Sequence, residues 1–153
     1  MSFLRMSLSL WACFFFFLAS PFARAEGSSY RSHIVPIMEA RCLTCHGSDS
    51  PEYPEFKSDP TRYIKAKKGP RMDSYTHLVF FVAWPDTGAI MRRLDDGQNT
   101  KDGKPGNMYK YLGDTEQERQ KHLAIFKSWI GSWTLKRWFE VTKEEIDAMR
   151  LSY

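Results

Sequence analysis

The chain has 153 residues, with 22 Lys and Arg against 18 Asp and Glu, and a formal charge of +4. That length bounds it to one domain once a leader is removed, and so small an excess of positive charge excludes the broad basic face of a nucleic-acid binder. Three cysteines, one of them inside the leader, exclude a disulfide-built scaffold.

Met1 to Ala25 has the parts of a secretory signal: Arg5 in a short polar start, an apolar run from Leu8 to Ala19, and Ala23-Arg24-Ala25 as a small-residue cleavage site. The apolar run is about a dozen residues, short of the roughly twenty that span a bilayer as a helix, so no stable membrane span is expected after cleavage. Trp11 before Cys13 is too bulky for a lipoprotein site, and Cys13 leaves with the signal. The domain of 26–153 would keep 128 of the 153 residues and a formal charge of +2, because Arg5 and Arg24 are lost and no acid is. The expected location is the periplasm or the outer face of the cytoplasmic membrane.

Glu26 to Ser29 reads as a loose leader. From Tyr30 or Ser32 onward, Ile34, Ile37, Met38, Cys42 and Cys45 recur at three- and four-residue intervals, which predicts a helix whose apolar face ends in the cysteines. Pro36 suits its first turn, where a missing N–H costs nothing. His33 lies upstream and reads as an exposed residue near the terminus.

Arg41-Cys42-Leu43-Thr44-Cys45-His46-Gly47 carries the chemistry. Cysteines two residues apart sit about one helical turn apart, so both thiols can add to the vinyl groups on one edge of a porphyrin, and the next residue, His46, falls beneath the iron. Its neutral imidazole supplies an axial nitrogen while the other ring nitrogen donates to a carbonyl. A redox disulfide, half a zinc site and a structural bridge each lack companion features: no second Cys pair or His pair follows at zinc spacing, and no strand-helix pattern precedes the motif. The implied cofactor is one covalently bound haem c.

Asp49 to Met72 is broken by Pro51, Pro54, Pro60, Gly69 and Pro70, and reads as loop with one short helix from Asp59-Pro60 to Lys67. It carries Lys57, Arg62, Lys65, Lys67, Lys68 and Arg71. Such a cluster can steer an acidic redox partner toward an exposed haem edge, and a solvated basic loop is the competing reading. Asp73 and Ser74 can cap a helix through Trp84, apolar nearly all round and expected to be buried against the cofactor, which Pro85 ends. A second short helix carries Ile90, Met91 and Leu94 until Asp95-Asp96-Gly97 stops it.

Gln98 to Asn107 is a polar, glycine-rich loop leading into Met108, and a long ordered loop of this kind is usually functional. Thr115-Glu116-Gln117-Glu118 is a capping box, followed by a helix with Leu123, Phe126, Trp129 and Ile130 inward and Gly131 as its end. Thr142-Lys143-Glu144-Glu145 repeats the capping box before a short final helix.

The second axial position decides whether the iron is closed or open to small ligands. Met72, Met91, Met108, His77 and His122 are the downstream candidates. Met108 is preferred, because a loop rich in glycine and proline can bring its sulfur over the distal face without competing for helix packing.

These segments resemble the class I type of c-type cytochrome. Val35 to Met38 running into Cys42-Leu43-Thr44-Cys45-His46-Gly47 is similar to that family's N-terminal helix and haem site. Pro85 to Leu94 is similar to its middle segment, Asn107-Met108 stands where its methionine stands, and Thr115 to Ile130 resembles its C-terminal helix. The resemblance implies an all-α domain of three to five helices wrapped round one haem, over roughly 30–131, with 132–153 as a helical extension. It implies a single-electron carrier between redox-partner proteins, not an enzyme, with Cys42 and Cys45 as attachment points, His46 as proximal and Met108 as distal ligand. Three features depart from the pattern: Tyr109 follows Met108 where a proline is common, the loop after Asp49 is long, and Trp133 to Tyr153 extends past the last family helix, as core cover or a partner surface. A five-coordinate sensor or small haem enzyme, and a fixed subunit of a respiratory complex, are the alternatives.

Overall fold

A computed structural model describes residues 27–153; the expected signal segment, its expected cleavage site and Cys13 lie outside the described residues. Those residues are all helical. In chain order they form α1 (Val35–Arg41), α2 (Leu43–His46), α3 (Tyr53–Ser58), α4 (Pro60–Lys65), α5 (Tyr75–Val82), α6 (Ala89–Leu94), α7 (Glu116–Ile130) and α8 (Lys143–Asp147). A π turn over Tyr30–Ile34 leads into α1, and 3-10 turns occupy Tyr109–Leu112 and Trp138–Glu140. The all-α class is as expected. The number of helices exceeds three to five because the proline-broken stretch and the C-terminal extension add short ones.

Local chemistry explains where the elements begin. Pro36 sits in the first turn of α1, Pro54 and Pro60 in those of α3 and α4, where a missing N–H breaks no helical bond. That is why a stretch that reads as broken still holds two helices. Ser74 Oγ accepts from the N–H of His77 to cap α5, and Thr115 Oγ1 from that of Glu118 to cap α7. The box at α8 is complete, with Thr142 and Glu145 each accepting from the other's backbone. At α7 it is not: Glu118 reaches past Thr115 to the N–H of Asp114 at 2.8 Å and to Arg41 at 2.5 Å. Arg41 also bonds Asp114 at 3.0 Å, so the end of α1 is tied to the start of α7. Gly131, at φ +81, ends α7 in a conformation that a side chain would strain.

The core lies where α1 and the π turn meet α5, α6 and α7. Ile34, Leu78, Val82, Met91, Leu123, Phe126, Trp129 and Ile130 are fully enclosed there, each large apolar side chain contributing about 1.5–3 kcal/mol by burial. α5 is shorter than the apolar run suggests: it ends at Val82, and Trp84 is 62% exposed rather than buried.

The C-terminal extension returns across the first turn of the fold. The Ser152 carbonyl accepts from Tyr30 N at 2.8 Å and from the Trp129 indole at 2.9 Å, and the Tyr75 hydroxyl donates to the Leu151 carbonyl at 2.7 Å. Tyr153 stacks on Tyr30 with ring centres 5.6 Å apart. Trp133, Met149 and Leu151 pack on the core, so this part of the extension is core cover, whereas Trp138 and Phe139 face solvent.

Candidate haem-binding site

Cys42 is the joint between α1 and α2, and Cys45 and His46 fill the last turn of α2. The two thiols lie one turn apart, neither in a disulfide. Burial and the neighbouring Cys45 push the Cys42 thiol up to about 11, so it is protonated at neutral pH before any bond is made to it.

The segment after α4 folds back and closes around this turn. Gly69 N donates to the Cys45 carbonyl and Met72 N to the His46 carbonyl, both at 2.8 Å, and Ser50 Oγ donates to the Cys45 carbonyl at 2.9 Å. His46 Nδ1 bonds the Pro70 carbonyl at 2.7 Å. A carbonyl only accepts, so the proton sits on Nδ1 and the lone pair of Nε2 is left free. Burial lowers the pKa of His46, and the Pro70 bond offsets that in part, which keeps the ring neutral at neutral pH. Gly69 lies flat against the imidazole, and a Cβ there would overlap the ring. The Gly69-Pro70 pair is a part of the site that sequence reading missed. Its signal was present as a Gly-Pro dipeptide downstream of the motif, but only the folded chain brings it to His46.

Met108, the preferred sixth ligand, is held by its backbone. Its N–H donates to the Arg93 carbonyl at 3.0 Å, and Gly106 N to the Asp95 carbonyl at 2.8 Å. Arg93 Nη1 donates to Asn107 Oδ1 at 2.9 Å. The turn that follows is tied to α7 through the Tyr109 hydroxyl, which donates to Glu116 and accepts from Gln120. The Met108 side chain is half-buried and packs on the same core cluster as Cys42 and Leu43.

The other candidates have different surroundings. Met91 is wholly enclosed in the core. Met72 lies beside the motif, its backbone bonded to His46. His77 Nδ1 is 3.0 Å from Asp73 and 2.9 Å from Ser74, and its Nε2 is 3.4 Å from Glu52, so both nitrogens face polar partners at the start of α5. His122 Nδ1 donates to the Leu112 carbonyl at 2.5 Å and ties α7 to the turn after Met108. His33 accepts from Ser29 N at the exposed N-terminal turn.

Two thiols one turn apart, a neutral imidazole with a free Nε2 and a thioether on a pinned loop fit the donor set of a covalently attached haem. The family model described as PccH cytochrome c matches residues 29–153. Among solved structures, the monoheme cytochrome PccH from Geobacter sulfurreducens superposes with a TM-score of 0.78 at 53% sequence identity, covering 84% of this chain and 100% of that one. No curated protein matches the chain. With these matches come one covalently bound haem c and a role in electron transfer rather than catalysis. The chain belongs to the PccH cytochrome c family.

Proposed function

We propose that the chain is an exported single-electron carrier in which Cys42 and Cys45 hold the haem by thioether bonds, His46 is its proximal ligand and Met108 its distal ligand. The observation that carries this reading is the paired restraint on the two ligands. The Pro70 carbonyl fixes the imidazole of His46, and the Arg93 carbonyl fixes the backbone of Met108.

When bound, the haem supplies an iron that changes by one electron. The neutral Nε2 of His46 and the sulfur of Met108 carry no proton, so the chain moves none at either ligand as the electron passes. Ligands already locked by hydrogen bonds and packing need little rearrangement between oxidation states. A thioether favours ferrous iron and raises the potential relative to two histidines.

The leader supports export to the periplasm, and among the described residues no helix is long and apolar enough to cross a membrane. Partner docking is proposed at the segment from Lys57 to Arg71, which closes over the cysteine side of the site. Lys68 is paired with Asp49 and Arg71 with Asp73 and Glu52. Lys57, Arg62, Lys65 and Lys67 remain exposed, and Arg62, Lys65 and Lys67 lie on or just after α4. Their surface suits an acidic redox partner.

Carbon monoxide added to the reduced protein tests the closed sixth position. Slow or absent binding is expected. Rapid binding would overturn it in favour of a five-coordinate sensor or small haem enzyme.

A further inference from the structure

Asp95 ends α6 with no exposed surface, yet four donors converge on its carboxylate. Oδ1 accepts from the backbone N–H groups of Gly97 at 2.8 Å and Asn99 at 3.2 Å. Oδ2 accepts from Asn99 Nδ2 and from the Trp133 indole N–H, both at 2.8 Å. A carboxylate without water is tolerated only when its lone pairs are used, and each bond lost there costs more than a neutral one.

These bonds secure the neck of the methionine loop. They wind the chain from Asp95 to Asn99 into a turn, while the carbonyl of the same Asp95 receives Gly106 N on the return. Two residues before Asp95, the Arg93 carbonyl receives Met108 N. Gly106 lies so close to the carbonyls of Arg92 and Arg93 that a Cβ would not fit. Thr100 Oγ1 lies 3.0 Å from both the Gly97 and the Lys104 carbonyls, and its single O–H donates to one of them at a time, between the two arms. The loop therefore leaves and re-enters the fold at one point. Trp133, which supplies the fourth donor, belongs to the C-terminal extension.

We infer that Asp95 is a positioning residue for Met108, and that the Trp133–Asp95 bond makes the C-terminal extension a determinant of how firmly that methionine is held. The inference rests on Met108 as distal ligand. Asp95→Asn keeps the shape but turns an amide N–H₂ or a single acceptor toward donors that need a charged one, while Trp133→Phe removes one donor and retains an aromatic ring. Imidazole titrated into the ferric holoprotein competes with the methionine, and the sulfur-to-iron charge-transfer band reports the competition. A loop freed of one charge-assisted bond should yield to imidazole about tenfold more readily in Asp95→Asn, and about threefold in Trp133→Phe.

Imidazole affinity that stays at the wild-type value in both variants, even with a lowered thermal midpoint, would reduce Asp95 to a fold anchor and overturn the positioning role while leaving the ligand reading intact. A band that survives Met108→Ala would overturn the ligand reading and this inference with it. If Asp95→Asn does not accumulate as holoprotein, Trp133→Phe decides, since an unchanged affinity there overturns the link to the extension.

Discussion

The imidazole of His46 and the carbonyl of Pro70 meet at 2.7 Å across 24 residues of chain. Everything between them, α3 and α4 included, is an excursion that returns to clamp the ring. Gly69 makes the return close enough, because its missing side chain is where the imidazole packs.

Gly69→Ala should therefore damage the site out of proportion to one methyl group. Overpacking of this kind costs about 1–3 kcal/mol, and the new Cβ pushes on the His46 ring itself. Urea unfolding of the holoprotein should show that loss. The resonances of the ferric haem methyl groups, which report the orientation of the axial ring, should move as well. A stable variant with unshifted resonances would mean that the ring is held by Pro70 alone.

Asp95 gives the protein a defined acid sensitivity. Burial raises its pKa, but hydrogen bonds from Trp133, Asn99 and Gly97 outweigh burial and hold the carboxyl below the usual range. A depressed native pKa adds stability that is fully present above the ordinary carboxylate value of about 3.9 and is lost as pH falls through the native value. Asp95→Asn should be less stable than wild type at pH 7, and the gap should narrow as the pH drops below the ordinary carboxylate value. Urea midpoints of the two proteins across that range check this, and a gap that widens in acid would contradict it.

The basic segment should be readable with small redox probes. Ferricyanide is an anion, and tris(phenanthroline)cobalt(III) is a cation. Replacing Lys65 and Lys67 by Glu should slow oxidation of the reduced protein by ferricyanide several-fold at low salt. The cationic probe should be spared or accelerated, and the difference should fade as salt screens it. Equal effects on both probes would remove the case for electrostatic steering at this face.

The parts of this molecule that depend on short-range patterns were legible in the sequence. Ser74, Thr115 and Thr142 cap helices as their side chains allow, Gly131 ends α7, and Leu123, Phe126, Trp129 and Ile130 line its inner face. The cysteine pair with its histidine was read from spacing alone. What escaped depends on contacts between residues far apart. Glu118 completes no box because Arg41, 77 positions earlier, draws it away. Pro54, a breaker by local pattern, lies in the first turn of α3. Trp84 belongs to an apolar run yet faces solvent, since α5 stops before it. Asp95 is a helix stop by local pattern, and nothing local to it foretells the indole of Trp133, 38 residues on. The clamp of Ser152 on Tyr30 and Trp129 is likewise invisible until the chain folds and those residues meet.

Electron transfer through a closed iron requires Met108 as the sixth ligand. The near-infrared spectrum of the ferric protein, compared with that of Met108→Ala, tests this most directly. A sulfur-to-iron charge-transfer band is expected in the wild type and absent from Met108→Ala, with Cys42 and Cys45 still holding the haem in both. A band unchanged by the substitution, or absent from the wild type, would contradict it.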